Sequence, residues 1–151
     1  MRVLVTGGVG FVGTNLIKRL LKDGHEVVSI DNYSTGFKEN EQEGCEYHNF
    51  NLQHIYDFDS YMENPDVVFH LAAAARIQPS FEKPQYYIKT NIVGTQHVVQ
   101  FCVDRNIPLI YAGSSSHHSG KPAFHGELGN ITVEIFETMN TFENELIVCK
   151  S

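Results

Sequence analysis

The chain's length, composition and charge limit what it can be. With 151 residues, 42% of them hydrophobic, it can bury one substantial core and is too short for two full domains. A formal net charge of -7, with no cluster of Lys and Arg, argues against nucleic acid as a partner. Glycines interrupt the apolar N-terminal run before it reaches the length of a secretory signal or a membrane span, so no membrane association is predicted.

The cysteines indicate a reducing compartment. Cys45, Cys102 and Cys149 are odd in number, far apart and without metal-ligand spacing, so neither a disulfide scaffold nor a metal site is predicted. Loop histidines at 117, 118 and 125 have no nearby cysteine or carboxylate pattern to complete such a site. A cytoplasmic location is therefore expected.

The first elements in chain order form a βαβ unit. Residues 2–6 (RVLVT) and 26–30 (EVVSI) are apolar runs with the length of buried parallel strands, and Gly24 stands where a helix C-cap glycine belongs. The apolar positions between the two runs recur at helical spacing: Val12, Leu16, Ile17, Leu20 and Leu21.

The pattern then repeats. A weaker strand is predicted at 45–50, a strong one at 66–71 (DVVFHL), a long helix at 84–105 with Pro84 in its first turn, and a further strand at 108–112. Strands separated by helices predict an α/β fold, a Rossmann-type doubly wound parallel sheet that is incomplete on its C-terminal side. The predicted apolar face of the long helix consists of Ile88, Ile92, Thr95, Val99 and Cys102.

Two regions follow from this pattern: a Rossmann domain at 1–120 and a divergent tail at 121–151. In the tail, NITVEIFETM (130–139) alternates like a strand over its first half. The end, TFENELIVCKS (141–151), is compatible with a helix or with a frayed terminus.

A glycine-rich turn joins the first strand to the first helix. In TGGVGFVG, Gly7 is expected to permit the tight turn, Gly10 to let the backbone approach a pyrophosphate, and Gly13 to let the helix pack closely. The helix N-terminus then offers N–H groups and partial positive charge to phosphates. The alternative is an ordinary strand-to-helix turn with surplus glycine.

An acidic residue, Asp31, ends the second strand. At that position a carboxylate accepts hydrogen bonds from adenosine ribose hydroxyls and repels a 2′-phosphate, so NAD is predicted rather than NADP. The alternative is that Asp31 only begins the polar loop DNYSTG.

Four motifs in register, TGGVGFVG, DNYSTG, HLAA and NIVGT, resemble the extended short-chain dehydrogenase/reductase superfamily, and within it the NAD-dependent epimerase/dehydratase family that includes UDP-glucose 4-epimerase. The likeness covers residues 1 to about 120. It implies a Rossmann fold, NAD as cofactor, a nucleotide sugar such as a UDP-sugar as substrate, and a homodimer formed through the helix at 84–105.

The resemblance also implies site residues. Backbone N–H groups of the glycine turn hold the pyrophosphate, the loop after Asp31 surrounds the ribose, and two residues after the third strand contact adenine, with an asparagine where the family commonly has an acid. Small residues after the fourth strand line the cofactor, and a helical asparagine braces the active-site backbone. The residues so implied are Gly7, Gly10, Phe11, Val12, Gly13, Asp31, Asn32, Ser34, Thr35, Gly36, Asn51, Leu52, Leu71, Ala72, Ala73 and Asn91.

A serine cluster follows the fifth strand, where family members place a hydroxyl that contacts the reacting sugar. Ser115 is the predicted catalytic hydroxyl and Ser116 the second choice. The family's Tyr-x-x-x-Lys pair, which moves the substrate proton, is absent because all seven tyrosines precede residue 112.

These observations predict the NAD-binding portion of a nucleotide-sugar epimerase or dehydratase, inactive alone. A truncated gene or a frame change near residue 120 is the expected reason. Two alternatives stay open: a non-catalytic, dinucleotide-responsive regulatory protein, and a nonfunctional fragment.

Overall fold

A computed structural model describes residues 1–54, 58, 60–61 and 63–113, and the backbone of three strands between 127 and 150. The helices and strands of the first 113 residues are β1 (Arg2–Thr6), α1 (Phe11–Lys22), β2 (Glu26–Asp31), β3 (Cys45–Asn49), β4 (Val67–His70), α2 (Ile77–Glu82), α3 (Pro84–Ile88), a π-helical segment (Lys89–Gly94), α4 (Thr95–Arg105) and β5 (Leu109–Ala112). Short 3-10 turns lie at Lys38–Asn40 and Leu52–His54.

The sheet confirms the predicted fold class. Strands β1 to β5 pair in parallel in the order β3-β2-β1-β4-β5. Side chains alternate between its faces, so Leu4 packs with Val98 and Phe101 of α4, whereas Val3 and Val5 pack with Ile17 of α1. Because helices cover both faces, the sheet is doubly wound.

Three short strands extend the sheet beyond β5. They are β6 (Glu127–Leu128), β7 (Ile131–Ile135) and β8 (Leu146–Lys150). All three pair antiparallel, and β8 joins the edge of β5. The strand predicted within 130–139 is therefore confirmed. The helix or frayed end expected at 141–151 is wrong for residues 146–150, which pair with β5, a contact between distant segments that local pattern does not encode.

The predicted apolar face of the long helix is partly wrong. Cys102 is buried, but Ile88 and Ile92 are 53% and 62% exposed. The π-helical segment adds width to the helix at this place, and small or polar side chains, Thr90 and Gly94, face the protein instead. Hydrophobic periodicity misses this face because two of its residues are not apolar.

Candidate functional site

The glycine turn lies at the carboxyl end of β1, against the backbone that follows β4. Gly7 has φ +78°, and a Cβ there would lie 2.7 Å from the backbone nitrogen of Ala72. The Gly7 N–H donates to the Ile30 carbonyl over 2.9 Å. Only glycine combines this left-handed conformation with so close an approach.

Helix α1 begins without a side-chain cap. Its N-cap residue is Gly10, so the N–H groups of Phe11, Val12 and Gly13 precede the first intrahelical bond, from Thr14 N to Gly10 O at 2.9 Å. A Cβ on Gly10 would meet only the Gly7 carbonyl oxygen, at 3.3 Å, so the surface above it is open. Unpaired donors beneath an open surface suit an anion.

Asp31 holds the glycine turn as well as facing the cleft. Its Oδ2 accepts a hydrogen bond from Val9 N at 3.1 Å, and its Oδ1 accepts one from Tyr33 N at 2.8 Å. Each carboxylate oxygen has further lone pairs for a ligand hydroxyl. The negative charge is thereby fixed at the end of β2.

The loop after Asp31 folds back onto the turn. Asn40 Nδ2 donates to Val9 O over 2.8 Å, and a Cβ on Gly36 would lie 2.5 Å from Val9 Cγ2. The Tyr33 hydroxyl donates to Glu41 Oε1 over 2.6 Å, and burial raises the pKa of Tyr33, so this donor stays protonated. Asp31 at the end of β2 and Asn40 in this loop therefore hold the two peptide groups that flank Val9.

Two further segments form the cleft's other walls. After β3, Asn51 Oδ1 accepts from Gln53 N at 3.0 Å, and Leu52 is buried. After β4, Asn91 makes two hydrogen bonds to the backbone of Ala74, from Ala74 N at 2.8 Å and to Ala74 O at 3.1 Å. Asn91 thus holds the Ala74 backbone in place, as a bracing residue would.

His70 was not singled out by sequence reasoning. It is 1% exposed, with Nδ1 2.6 Å from Thr6 Oγ1 and Nε2 2.8 Å from Thr95 Oγ1. The Thr6 hydroxyl oxygen also accepts from Ala72 N at 3.3 Å. Burial lowers the pKa of His70 to about 4, so the imidazole is neutral and ties β1, β4 and α4 together beneath the cleft.

One cleft gathers most of the predicted cofactor residues. Gly36 and Asn91 support its walls from behind, and Phe11, Val12 and Gly13 open the helix beside it. Ile30, Phe50 and Thr90 also line the cleft. Each directly precedes a residue predicted to bind the cofactor, but nothing in the sequence marks these three as cofactor ligands. The cleft is lined by Gly7, Gly10, Ile30, Asp31, Asn32, Ser34, Thr35, Phe50, Asn51, Leu52, Leu71, Ala72, Ala73 and Thr90.

The predicted catalytic serines, Ser115 and Ser116, lie outside the described residues. Within residues 1–54 and 63–113, no group of three or more His, Cys, Asp or Glu side chains is placed to hold a metal ion. In the same part of the chain, no helix has the length and apolar character needed to cross a membrane.

Comparison with known proteins decides the family. The family model for the NAD dependent epimerase/dehydratase family matches residues 3–135. The chain belongs to this family. The match extends past the predicted boundary at residue 120, into the first part of the tail.

Curated relatives match this chain over part of their own length. Protein CapI of Staphylococcus aureus is 39% identical over an alignment of 128 residues, and the match covers 77% of this chain and 38% of CapI. UDP-glucuronic acid decarboxylase 1 of Danio rerio is 36% identical, over 82% of this chain and 29% of its own length. The chain therefore spans well under half the length of these relatives.

A solved structure agrees with the fold. The UDP-glucose 4-epimerase of Thermus thermophilus in complex with NAD superposes with a TM-score of 0.63 at 33% identity, covering 71% of this chain and 35% of that one. The chain therefore shares its fold with a protein whose structure was solved in complex with NAD.

Proposed function

We propose that residues 1–120 are the NAD-binding portion of a nucleotide-sugar epimerase or dehydratase. The observation that carries this proposal is the cleft in which the uncapped N-terminus of α1 and the carboxylate of Asp31 face the same space. A diphosphate fits the helix N-terminus, and a ribose diol fits the carboxylate. Gly7 and Gly10 leave room that a side chain would fill.

The same geometry favours NAD over NADP. Both oxygens of Asp31 are held by backbone N–H groups, so the carboxylate cannot turn away from a bound ribose. A 2′-phosphate would place negative charge beside this fixed negative charge. Asn32, Ser34 and Thr35 line the same wall and supply neutral partners for ribose hydroxyls.

Bound NAD would supply a hydride acceptor and donor for a carbon of the sugar. This chain's residues would hold the coenzyme, and Ser115 or Ser116 would contact the sugar. A UDP-sugar is the proposed substrate of the whole protein, as in relatives such as the decarboxylase of Danio rerio and the epimerase of Mycolicibacterium smegmatis. The 151-residue chain lacks the Tyr-x-x-x-Lys pair, so we expect no turnover from it alone.

We also propose a homodimer through the helix at 84–105. The exposed Ile88 and Ile92 lie one turn apart on that helix and support a second copy as the partner. A cytoplasmic location is proposed from the three cysteines, which are odd in number and far apart in the sequence. Sedimentation of the wild type against Ile88→Lys tests the dimer, because a buried lysine would break it.

Calorimetric titration with NAD and NADP tests the main proposal. We expect saturable binding of NAD, with NADP weaker by tenfold or so if charge repulsion costs about 1.4 kcal/mol. No heat and no thermal stabilisation at millimolar NAD would refute both the enzyme-family and the regulatory function. Incubation with UDP-glucose or UDP-galactose should give no epimer, and measurable turnover would show that the Tyr and Lys are dispensable.

Two alternatives keep specific tests. A dinucleotide-responsive regulator binds NAD, but its gene encodes no catalytic Tyr and Lys downstream. A nonfunctional fragment need not bind NAD at all. The nucleotide sequence after the codon for Gly120, read in all forward frames, separates them. A Tyr-x-x-x-Lys pattern in another frame would favour truncation over an evolved regulator.

A further inference from the structure

The loop between β2 and β3, residues 32–44, reaches the glycine turn through Asn40. The side-chain Nδ2 of Asn40 donates to Val9 O over 2.8 Å. That carbonyl and the N–H of Gly10 belong to one peptide group, and the Gly10 N–H donates to Gly7 O over 3.2 Å. Because Gly10 lines the cleft, the position of Asn40 affects the backbone that a diphosphate would contact.

The residues that follow Asn40 are fastened to both neighbouring strands. Tyr33, two residues after the end of β2, donates its hydroxyl proton to Glu41 Oε1 over 2.6 Å. The backbone N–H of Gln42 donates to the hydroxyl oxygen of Tyr47, in β3, over 3.1 Å. Gln42 Nε2 also donates to Asn40 O over 2.6 Å. Two tyrosine hydroxyls therefore hold the chain directly after Asn40.

Tyr33 has a backbone conformation that is unusual for a large side chain. Its φ is +55°, in the left-handed region that residues other than glycine, asparagine and aspartate rarely adopt. Its backbone N–H donates to Asp31 Oδ1 over 2.8 Å, and its hydroxyl donates to Glu41. A disfavoured conformation persists only where its surroundings enforce it. The bond to Glu41 thus helps to secure a conformation that the backbone alone does not favour.

We infer that Tyr33 and Glu41 are positioning residues of the cofactor site. Their hydrogen bond holds Asn40 against Val9 and so keeps the glycine turn in the conformation that accepts a diphosphate. The inference rests on the proposed function, because it takes NAD as the ligand. The cleft is lined by Asn32 and Ser34 but not by the intervening Tyr33, so the pair acts through Asn40 and keeps the binding conformation populated before NAD arrives.

Three variants test the role of this pair. Tyr33→Phe removes the hydroxyl and keeps the ring, Glu41→Ala removes the acceptor, and Glu41→Gln keeps an oxygen that can accept the same proton. Glu39→Ala, at an exposed position of the same loop, is the matched control. Thermal unfolding first confirms that each variant is folded, and calorimetry then measures the Kd of NAD.

We expect Tyr33→Phe and Glu41→Ala each to raise the Kd of NAD about fivefold, the value that follows if the binding conformation is populated about one fifth of the time. Glu41→Gln and the control Glu39→Ala should both stay within about twofold of the wild type. In a protein that already carries Asn40→Ala, Tyr33→Phe should raise the Kd no further, because the pair acts through Asn40.

Amide hydrogen exchange in the free protein gives a second readout, which separates positioning from a general loss of stability. The Gly10 N–H should exchange faster in Tyr33→Phe and Glu41→Ala than in the wild type. The exchange of the Leu4 N–H, in the central strand β1, should be unchanged. Equal acceleration at Gly10 and Leu4 would overturn the inference.

The affinities can also overturn it while the wild type still binds NAD. An unchanged Kd in folded Tyr33→Phe, a loss in Glu41→Gln as large as in Glu41→Ala, or additive losses when Tyr33→Phe is combined with Asn40→Ala would each do so. If Tyr33→Phe does not fold, the contrast between the two Glu41 variants decides. A wild type that does not bind NAD would instead refute the proposed function itself.

Discussion

The carboxylate of Asp31 accepts a hydrogen bond from the backbone N–H of Val9, with 3.1 Å between Oδ2 and N. The acid expected to hold a ribose therefore also holds the glycine turn expected to hold the diphosphate. The two halves of the predicted site depend on each other, so a change at Asp31 acts on both.

Replacing Asp31 by Asn should weaken NAD binding and reduce the preference over NADP. Loss of the charge weakens two backbone hydrogen bonds, and one bond to a charged group is worth about 1.5–3 kcal/mol. We expect the Kd of NAD to rise about tenfold or more and that of NADP to change less. Glu43→Gln, which removes an exposed carboxylate, is the control. Equal changes for both coenzymes would contradict the assigned role.

Two glycines with the same backbone conformation should respond differently to alanine. Gly7 has φ +78° and no room beside Ala72, whereas Gly24 has φ +81° and nothing within 4 Å of a new Cβ. Gly24→Ala should cost about 1 kcal/mol of unfolding free energy, the strain of the left-handed conformation alone. Gly7→Ala should cost about 3 kcal/mol or more and abolish NAD binding. Urea denaturation measures the unfolding free energy of both variants. Similar losses of unfolding free energy would show that the glycine turn can shift to accommodate the new Cβ.

Removing the Asn40 side chain should loosen the glycine turn. Asn40→Ala deletes the donor to Val9 O, at a cost of about 1 kcal/mol in unfolding free energy. Because the same carbonyl belongs to the peptide that leads into Gly10, we expect the Kd of NAD to rise several-fold. Asn49→Ala, at an exposed position of β3, should leave affinity unchanged. A variant of Asn40 that binds NAD normally would show that Asp31 alone holds the turn.

Stability should fall below pH 6.5 because of His70. Its pKa is about 4 in the folded protein, against an ordinary value of 6.5, so on acidification the unfolded chain takes up a proton that the folded chain refuses. This contribution is complete above pH 6.5 and is lost as the pH falls toward 4. Between pH 7 and pH 5 we expect a loss of about 2 kcal/mol from this group.

His70→Gln removes the titrating group and isolates its share of the pH dependence. The free energy of unfolding of His70→Gln, measured by urea denaturation at pH 7 and pH 5, should change less between the two values than that of the wild type. If the free energy of unfolding changes equally between pH 7 and pH 5 in the two proteins, burial does not prevent His70 from taking up a proton in the folded state.

The features predicted correctly are those encoded in neighbouring residues. The glycine spacing, the acid at the end of the second strand and the alternation of strand and helix are local signals, and the cleft brings together Gly7, Gly10 and Asp31 as they implied. The features missed are contacts between distant segments. Thr90 reaches Gln53 across 37 positions and Asn40 reaches Val9 across 31, and no periodicity marks either residue.

The long helix shows why hydrophobic pattern misled. Counting apolar residues placed Ile88 and Ile92 on the inner face, but the π-helical segment and the small residue Gly94 turn another face toward Leu52. A glycine that allows close packing carries no apolar side chain to be counted. The tail was mispredicted for another reason. The pairing of β8 with β5 joins residues far apart in the chain, which a local pattern does not encode.

The backbone amide signals of the glycine turn, followed by nuclear magnetic resonance during a titration with NAD, test the central claim most directly. We expect the amides of Phe11, Val12 and Gly13 to shift saturably and together with that of Tyr33, which is bonded to Asp31. If the amide signals of the glycine turn do not shift at millimolar NAD, or shift only together with signals remote from the cleft, the claim that this turn binds NAD is contradicted.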